Sequence, residues 1–331
     1  MANIIFSEGS NLANSIYGNS QEPIKMFLEK RAEAFEQESI VKQLFSSQPS
    51  THWAERYTSM TAMDGFKPVG ENGAYPVDGI EEGPSKVLEN VTWKDSFAIS
   101  REMIDDAQLM DLRQRPQSFI TGYYRTREKY GAALIGAGVT GNTSIKFGGK
   151  KFDATPADGK ALFATNHDGK AAQSNKFSNA FTATALAAVE TRMQNFAGLK
   201  GEILDVSPDT IVIPNLYSLK QDVFAAIGAD KDPSTANNAF NYVYGRWNVI
   251  VWPYLNEFIT SGTAPWILMD SRYNTTYAGA VWQDRVQLEV RSEIADNDAN
   301  RWKGYARFVA GFNDWRAFAV GGIAGATDAT A

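Results

Sequence analysis

The chain has no cysteine in 331 residues. That absence excludes disulfides, thiolate metal sites, iron–sulfur clusters and cysteine nucleophiles together. Histidine is almost missing: only His52 and His167 occur, too few for a multi-histidine metal site or a histidine relay. No run of about 18 apolar residues is present, so no segment is built to cross a bilayer as a helix. The N-terminus, MANIIFSEGSNLANS, lacks the basic segment and apolar core of a secretion signal, and folding in a cytoplasm is expected. Excess positive charge is missing as well. Lys+Arg number 32 against 38 Asp+Glu, a net charge of −6, whereas a chain whose main task is gripping nucleic acid is usually basic. The signatures G-x-x-x-x-G-K-[ST], G-x-S-x-G and H-E-x-x-H do not occur.

What is present is a folded chain, 44% hydrophobic and 21% charged, long enough to form a large core without staples. Residues 1–50 are sparse in apolar groups except from Pro23 to Phe45. There Ile24, Phe27, Leu28, Ala32, Phe35, Ile40 and Leu44 recur at helical spacing among charges. This amphipathic helix packs on its own domain or on a neighbouring subunit. Residues 85–99, SKVLENVTWKDSFAI, alternate with Val87, Val91, Trp93, Phe97 and Ile99 on one parity, which predicts one long strand. Trp53 to Met63 also reads as extended. Between them residues 64–84 carry five glycines and three prolines, incompatible with a helix or a central strand. The segment as a whole predicts a long two-stranded arm with an irregular tip. Residues 64–95 hold seven acids and three bases.

Ser100 caps a short helix, and Pro116 is expected to end or kink it. A longer helix follows, with Phe119, Ile120, Tyr123, Tyr124, Tyr130, Leu134 and Ile135 as its apolar positions and Gly136 and Gly138 as its expected end. Short strands are expected near 145–147 and 162–164, and a helix over 181–197. From 201 the pattern is α/β: a strand at 210–214, a helix at 216–227, a polar loop at 230–238, and strands at 248–251 and 266–269. Residues 281–295 and 301–313 alternate on either side of the polar turn Asp296-Asn-Asp-Ala-Asn300, which predicts a second long hairpin.

The chemistry-bearing candidates each have a bland reading that outweighs the functional one. Gly136-Ala-Gly138-Val-Thr-Gly141 matches a dinucleotide fingerprint but follows a charged helix, not a strand, and reads as a helix terminus. His52 and Glu55 have metal-ligand spacing on an extended segment, where alternate faces separate them. His167-Asp168 reads as a solvated turn. Asp296 and Asp298 lack the Gly and Glu of a calcium loop. Glu81 and Glu82 are adjacent on an extended chain and point apart, unlike a glycosidase pair. Arg125, Arg127 and Lys129 beside Tyr123, Tyr124 and Tyr130 could meet phosphates, but a solvated or intersubunit helix face outweighs that. No catalytic, cofactor-binding or metal-ligating residue is assigned. The conspicuous features, two arms, a rod helix and a long hairpin, are devices for touching neighbours.

The order of these elements resembles the major capsid proteins of tailed phages, the Hong Kong 97-type α+β fold, over essentially the whole chain. YPVDGIEEGPSKVLENVTWKDSFAISREMIDD resembles that family's extended loop running into its peripheral domain, and SFITGYYRTREKYGAALIGAG its spine helix. ALFATNH, then PDTIVIPNLYSLKQDVFAAI, is similar to the major head subunits of Mu-type phages. NVIVWPYL, PWILMDS and RWKGYARFVAGFNDWRAFAVGG fit the axial domain and returning strands. The resemblance implies an N-terminal arm at 1–50 and an extended loop at 51–99 lying on a neighbour. It implies a peripheral domain at 100–200 and 283–313, and an axial domain at 201–282 and 314–331. It implies a non-enzymatic virion protein, assembled in a host bacterial cytoplasm into pentamers and hexamers around double-stranded DNA contacted non-specifically. Scaffolding, portal and decoration proteins are the expected partners. Trp93, Glu81, Glu82, Lys86, Arg125 and Arg127 are the expected intersubunit contacts. An encapsulin-type nanocompartment is the alternative of the same fold, and an unrecognised enzyme the alternative of another class.

Overall fold

The structure, a computed structural model, describes residues 4–8, 18–60, 66–77, 82–106, 109–169, 171–228, 241, 243–259, 263–326 and 328–329. In chain order a short strand β1 (Ile5–Glu8) precedes helices α1 (Gly18–Glu38) and α2 (Val41–Leu44) and strand β2 (Ser46–Pro49). Strands β3 (Ala54–Met60), β4 (Glu82–Glu89) and β5 (Val91–Ile99) follow, then helices α3 (Arg101–Asp105) and α4 (Leu109–Thr140). The hairpin β6 (Ser144–Phe147) and β7 (Lys150–Asp153) leads to α5 (Ala183–Gln194), β8 (Thr210–Ile213), α6 (Tyr217–Ile227) and β9 (Asn248–Val251). The chain closes with β10 (Trp266–Met269), α7 (Ser271–Tyr277), β11 (Ala280–Ile294), β12 (Asn300–Phe312) and β13 (Phe318–Gly321).

Two sheets organise these elements. In the larger, β11 and β12 form the expected long hairpin, β5 pairs antiparallel with β12, and both β1 and β2 run parallel to β11. The second has the order β13-β10-β8-β9; β13, β10 and β8 are buried at every position, which is why 211–213 and 266–269 are continuous apolar runs and not alternating ones. One hydrophobic cluster runs through both sheets. The mixed α+β class expected from the sequence is the class observed.

Helix α4 lies against the larger sheet and, at 32 residues, is about 48 Å long. Pro116, expected to end or kink the preceding helix, does not end it: it sits inside α4. A proline deletes a single backbone donor, and here that loss is offset by Pro116 itself and by Phe119 and Ile120 one turn on, all buried. Gly136 and Gly138 do not end the helix either. Their lack of a side chain makes room: a Cβ at Gly136 would collide with the Phe258 ring, and one at Gly138 would stand 2.8 Å from Leu162. The helix stops at Gly141, whose φ of +76° suits glycine. Gly141 N–H donates to the Gly138 carbonyl at 3.0 Å and Asn142 N–H to the Ala137 carbonyl at 2.8 Å, a Schellman closure.

The single strand expected over 85–99 is two. At Asn90 the chain leaves one sheet for another, β4 pairing with β3 and β5 with β12. The Asn90 amide fixes the corner, donating to Ser50 Oγ at 2.9 Å and to the His52 carbonyl at 2.8 Å. Residues 162–164 are irregular, not a strand, although Leu162 and Phe163 are buried. The loop expected at 230–238 lies outside the described residues.

Placing a methyl at Gly136 should cost about 1–3 kcal/mol through overpacking against Phe258. The same change at Gly122, which has open space around it in the same helix, should be neutral or stabilise by about 0.5–1 kcal/mol. Denaturant unfolding of Gly136→Ala and Gly122→Ala checks both, and equal effects would sink the packing account.

Candidate functional site

The projecting arm is the most distinctive surface. Among the described residues strands β3 and β4 pair only with each other, and the tip residues 66–77 are all exposed. Phe66, Tyr75 and Val77 are almost fully in water, and Val69, Val87 and Trp53 more than half so. Glycine and proline explain the irregular tip, since Pro68 and Pro76 cannot donate to a ladder and Gly70 and Gly73 have little to bury. A two-stranded ribbon with aromatic groups in water is poorly stable by itself, and an apolar patch of this kind marks a contact surface.

The base of the arm is anchored in its own subunit. Lys86 on β4 is buried, and its ammonium donates to Asp153 Oδ2 at 2.6 Å and to Thr155 Oγ1 at 3.0 Å. Trp93 on β5 stacks on Phe308 at 4.9 Å and lies parallel to Phe152 at 6.1 Å, while its Nε1 donates to the Phe308 carbonyl. Arg127 on α4 is also interior. Its guanidinium grips both carboxylate oxygens of Asp284 at 3.2 and 3.1 Å, donates to Tyr123 Oη at 2.9 Å and lies over the Trp282 ring at 4.7 Å. These three residues, expected between subunits, have their polar groups and ring faces committed within the chain. An apolar parity on β5 and an arginine among tyrosines fit a core facing α4 as well as they fit an interface, and within the subunit they pack on that core.

Glu82 is exposed, with Arg56 at 3.9 Å, and Arg125 is exposed on α4 beside a groove formed with Phe35, Ile40 and Tyr254. Glu81 lies outside the described residues.

A cleft of about 590 Å³ separates the arm base from the body, lined by Arg56, Tyr57, Asp158, Glu202, Tyr273 and Arg316 among others. His167 lies behind it and is completely buried, contrary to the solvated turn expected. Its Nδ1 is 2.6 Å from Asp158 Oδ2 and its Nε2 is 3.1 Å from Asn175 Oδ1. The Asn175 amide nitrogen donates to the Leu162 and Phe318 carbonyls, which orients its oxygen toward the imidazole. Both ring nitrogens therefore face acceptors, and the ring stacks on Trp315 at 4.2 Å. Arg316 extends this network by donating to Asp314 Oδ1 and to the carbonyls of Ala197 and Asp168. The arrangement is a structural clamp: the histidine's ring atoms are committed on both edges and one face. No sequence signal marked it, because its partners at 158, 175 and 315 are brought together only by the fold. Among the described residues no group of three His, Asp or Glu is placed to hold a metal ion.

Two carboxylates of this region sit below their ordinary pKa. Burial alone would raise Asp153, but the Lys86 ammonium and the N–H and O–H of Thr155 outweigh it. Burial would likewise raise Asp158, and the hydrogen bond and charge of His167 reverse the sign. For a lowered carboxylate the stabilisation is complete above the unfolded-state value and is lost as pH falls through the folded-state value. The melting temperature should accordingly drop as pH is taken below about 4. Asp153→Asn and Asp158→Asn should each lower it at neutral pH and make the acid drop shallower, as calorimetry across pH 2–7 would reveal; an unchanged acid limb in both variants would contradict the assignment.

A family model described as phage capsid protein matches residues 86–321. No curated protein sequence matches the chain. Among solved structures, the virus-like particle of Pyrococcus furiosus aligns at 10% identity over 91% of this chain and 98% of that one, with a TM-score of 0.49. The capsid of the Myoviridae phage XM1 aligns at 11% identity over 85% and 90%, with a TM-score of 0.49. The SrpI encapsulin complex of Synechococcus elongatus aligns at 12% identity over 87% of each chain, with a TM-score of 0.48. The family match, spanning more than two thirds of the chain from β4 to β13, is the finding that places it.

Proposed function

This chain belongs to the phage capsid protein family, and from that premise we propose that it is the major subunit of an icosahedral head, closing as pentamers and hexamers around double-stranded DNA. Its function is structural, and the virion capsid is where it resides. The observation that carries the finer reading is the arm. A ribbon of two strands extends from the body with aromatic groups in water at its tip, and these gain stability only when a second copy covers them.

In this reading the division of labour follows the two sheets. Strands β11 and β12 with α4 and the β6–β7 hairpin form the peripheral unit, built from 100–200 and 283–313, and β1, β2 and β5 extend its sheet from the preceding segments. The β13-β10-β8-β9 sheet with α6 is the axial unit, built from 201–282 and 314–331. The N-terminal arm remains 1–50. Of the expected loop at 51–99, residues 91–99 are the outer strand of the larger sheet, so the proposed loop is the β3–β4 ribbon and its tip. Glu82 and Arg125 remain as proposed intersubunit contacts. Assembly strength comes from repetition: many contacts, each modest, close simultaneously and act as one. Packaged DNA, together with scaffolding, portal and decoration proteins, completes the proposed set of partners.

Replacing residues 66–77 by a short Gly-Ser turn should leave the subunit folded, with its melting temperature unchanged, but abolish closed particles in electron microscopy. Particles of normal size and stability would remove the arm from the reading. Wild-type particles filled with a protein cargo and free of DNA would replace it with a nanocompartment shell.

A further inference from the structure

The β6–β7 hairpin carries an electrostatic conflict that its own chain does not resolve. Lys146 and Lys151 are directly opposed across the two strands, with a turn at Gly148 and Gly149 whose φ values are +56° and +80°. Directly opposed residues in an antiparallel pair place their Cβ atoms about 5 Å apart on one face, and like charges there are destabilising. Lys150 is opposite Phe147 on the other face, over the Phe152 ring at 5.9 Å. All three are exposed, and among the described residues none has an acidic partner. The acid two residues along the same face, Asp153, is already held by Lys86 and Thr155. The hairpin is not loose, because its opposite face is packed: Phe147 and Phe152 contact Tyr130 and Trp93. A stable scaffold therefore holds Lys146 and Lys151 side by side on its outer face with their mutual repulsion uncompensated.

The same chain carries the complementary charge elsewhere. Residues 64–89 hold six acids and two bases, and one of those bases, Lys86, is consumed by Asp153. Glu71 stands in the exposed tip and Glu82 is exposed on β4. Among the described residues none covers 66–77, all of which are exposed. We infer that the lysine face of the β6–β7 hairpin is the landing surface for the acidic arm of a second copy, with Lys146 and Lys151 meeting carboxylates of the arm. Opposed charge sets the register of that contact, while the tip's Phe66 and Tyr75 contribute apolar area. Within the subunit the lysines repel; in the assembly they are neutralised, so the hairpin gains most when the neighbour is in place. This inference rests on the shell reading above and deepens it by naming the receiving surface.

A charge-exchange experiment tests it. The full-length chain is assembled as wild type, with Lys146→Glu and Lys151→Glu together, with Glu71→Lys and Glu82→Lys together, and with all four changes. Each reversed pair should lower particle yield about tenfold or more at moderate salt, and the four-fold variant should recover most of it. Lys151→Gln is the folding control. It relieves the intrasubunit repulsion, so the unassembled subunit should melt no lower than wild type while its particle yield falls. A lysine-reversed variant that assembles like wild type overturns the inference, as does a four-fold variant with no recovery. Normal particles from the lysine-reversed variant with reduced DNA content also overturn it, in favour of a nucleic-acid contact. Failure of the wild type itself to form particles would sink the shell reading instead, so the two failures are distinguishable.

Discussion

The arginine–aspartate pair between α4 and the long hairpin is the constraint on which the rest of the subunit depends. Arg127 and Asp284 are mostly withdrawn from water, and a buried charge is tolerable only when its partner and its remaining donors are placed accurately. The fork grip on Asp284, the bond to Tyr123 and the Trp282 ring beneath the guanidinium meet that demand. The pair thereby fixes the rotation of α4 about its axis. Tyr130, one turn further along, then meets the Ala310 carbonyl through its hydroxyl, and its ring joins Phe147, Phe152, Trp282 and Phe308 in a continuous aromatic layer. Asp284 lies where β11 departs from regular pairing, so the irregular register turns the carboxylate toward the helix.

From that layer the arm is positioned. Trp93 enters the same aromatic stack from β5, and Lys86 ties β4 to β7, so the ribbon leaves the body from two anchored points separated by the corner at Asn90. Rigidity at the base and exposure at the tip are what a grasping element requires. A loose base would multiply the entropy lost on contact, and a buried tip would have nothing to offer.

Much of this was legible in the sequence. The long hairpin showed itself by alternation at 286–290 and 302–312 around a polar turn, and the second sheet by its short apolar runs. The capsid family followed from the order of elements, not from any motif. What stayed hidden was decided by distance in the chain. Strands β1 and β2 gain their identity only by pairing with β11, more than 200 residues away, and neither has a pattern of its own. The break at Asn90 was hidden because Val87 and Val91 share a parity, whereas on β4 it is Lys86 and Leu88 that are buried and Val87 that is exposed. Pro116 and the two glycines of α4 misled because punctuation is a local rule, and here packing against Phe258 and Leu162 outranked it. Trp93, Lys86 and Arg127 carry the residue types of an interface, and only their committed partners reveal the core.

The unbroken apolar cluster shared by both sheets has a mechanical corollary. Two sheets that share one close-packed core are expected to move together as a single tile. In the proposed shell such a tile would leave curvature to the seams, so pentagonal and hexagonal neighbourhoods would differ in the angles between tiles and in the lie of the ribbons proposed to join them.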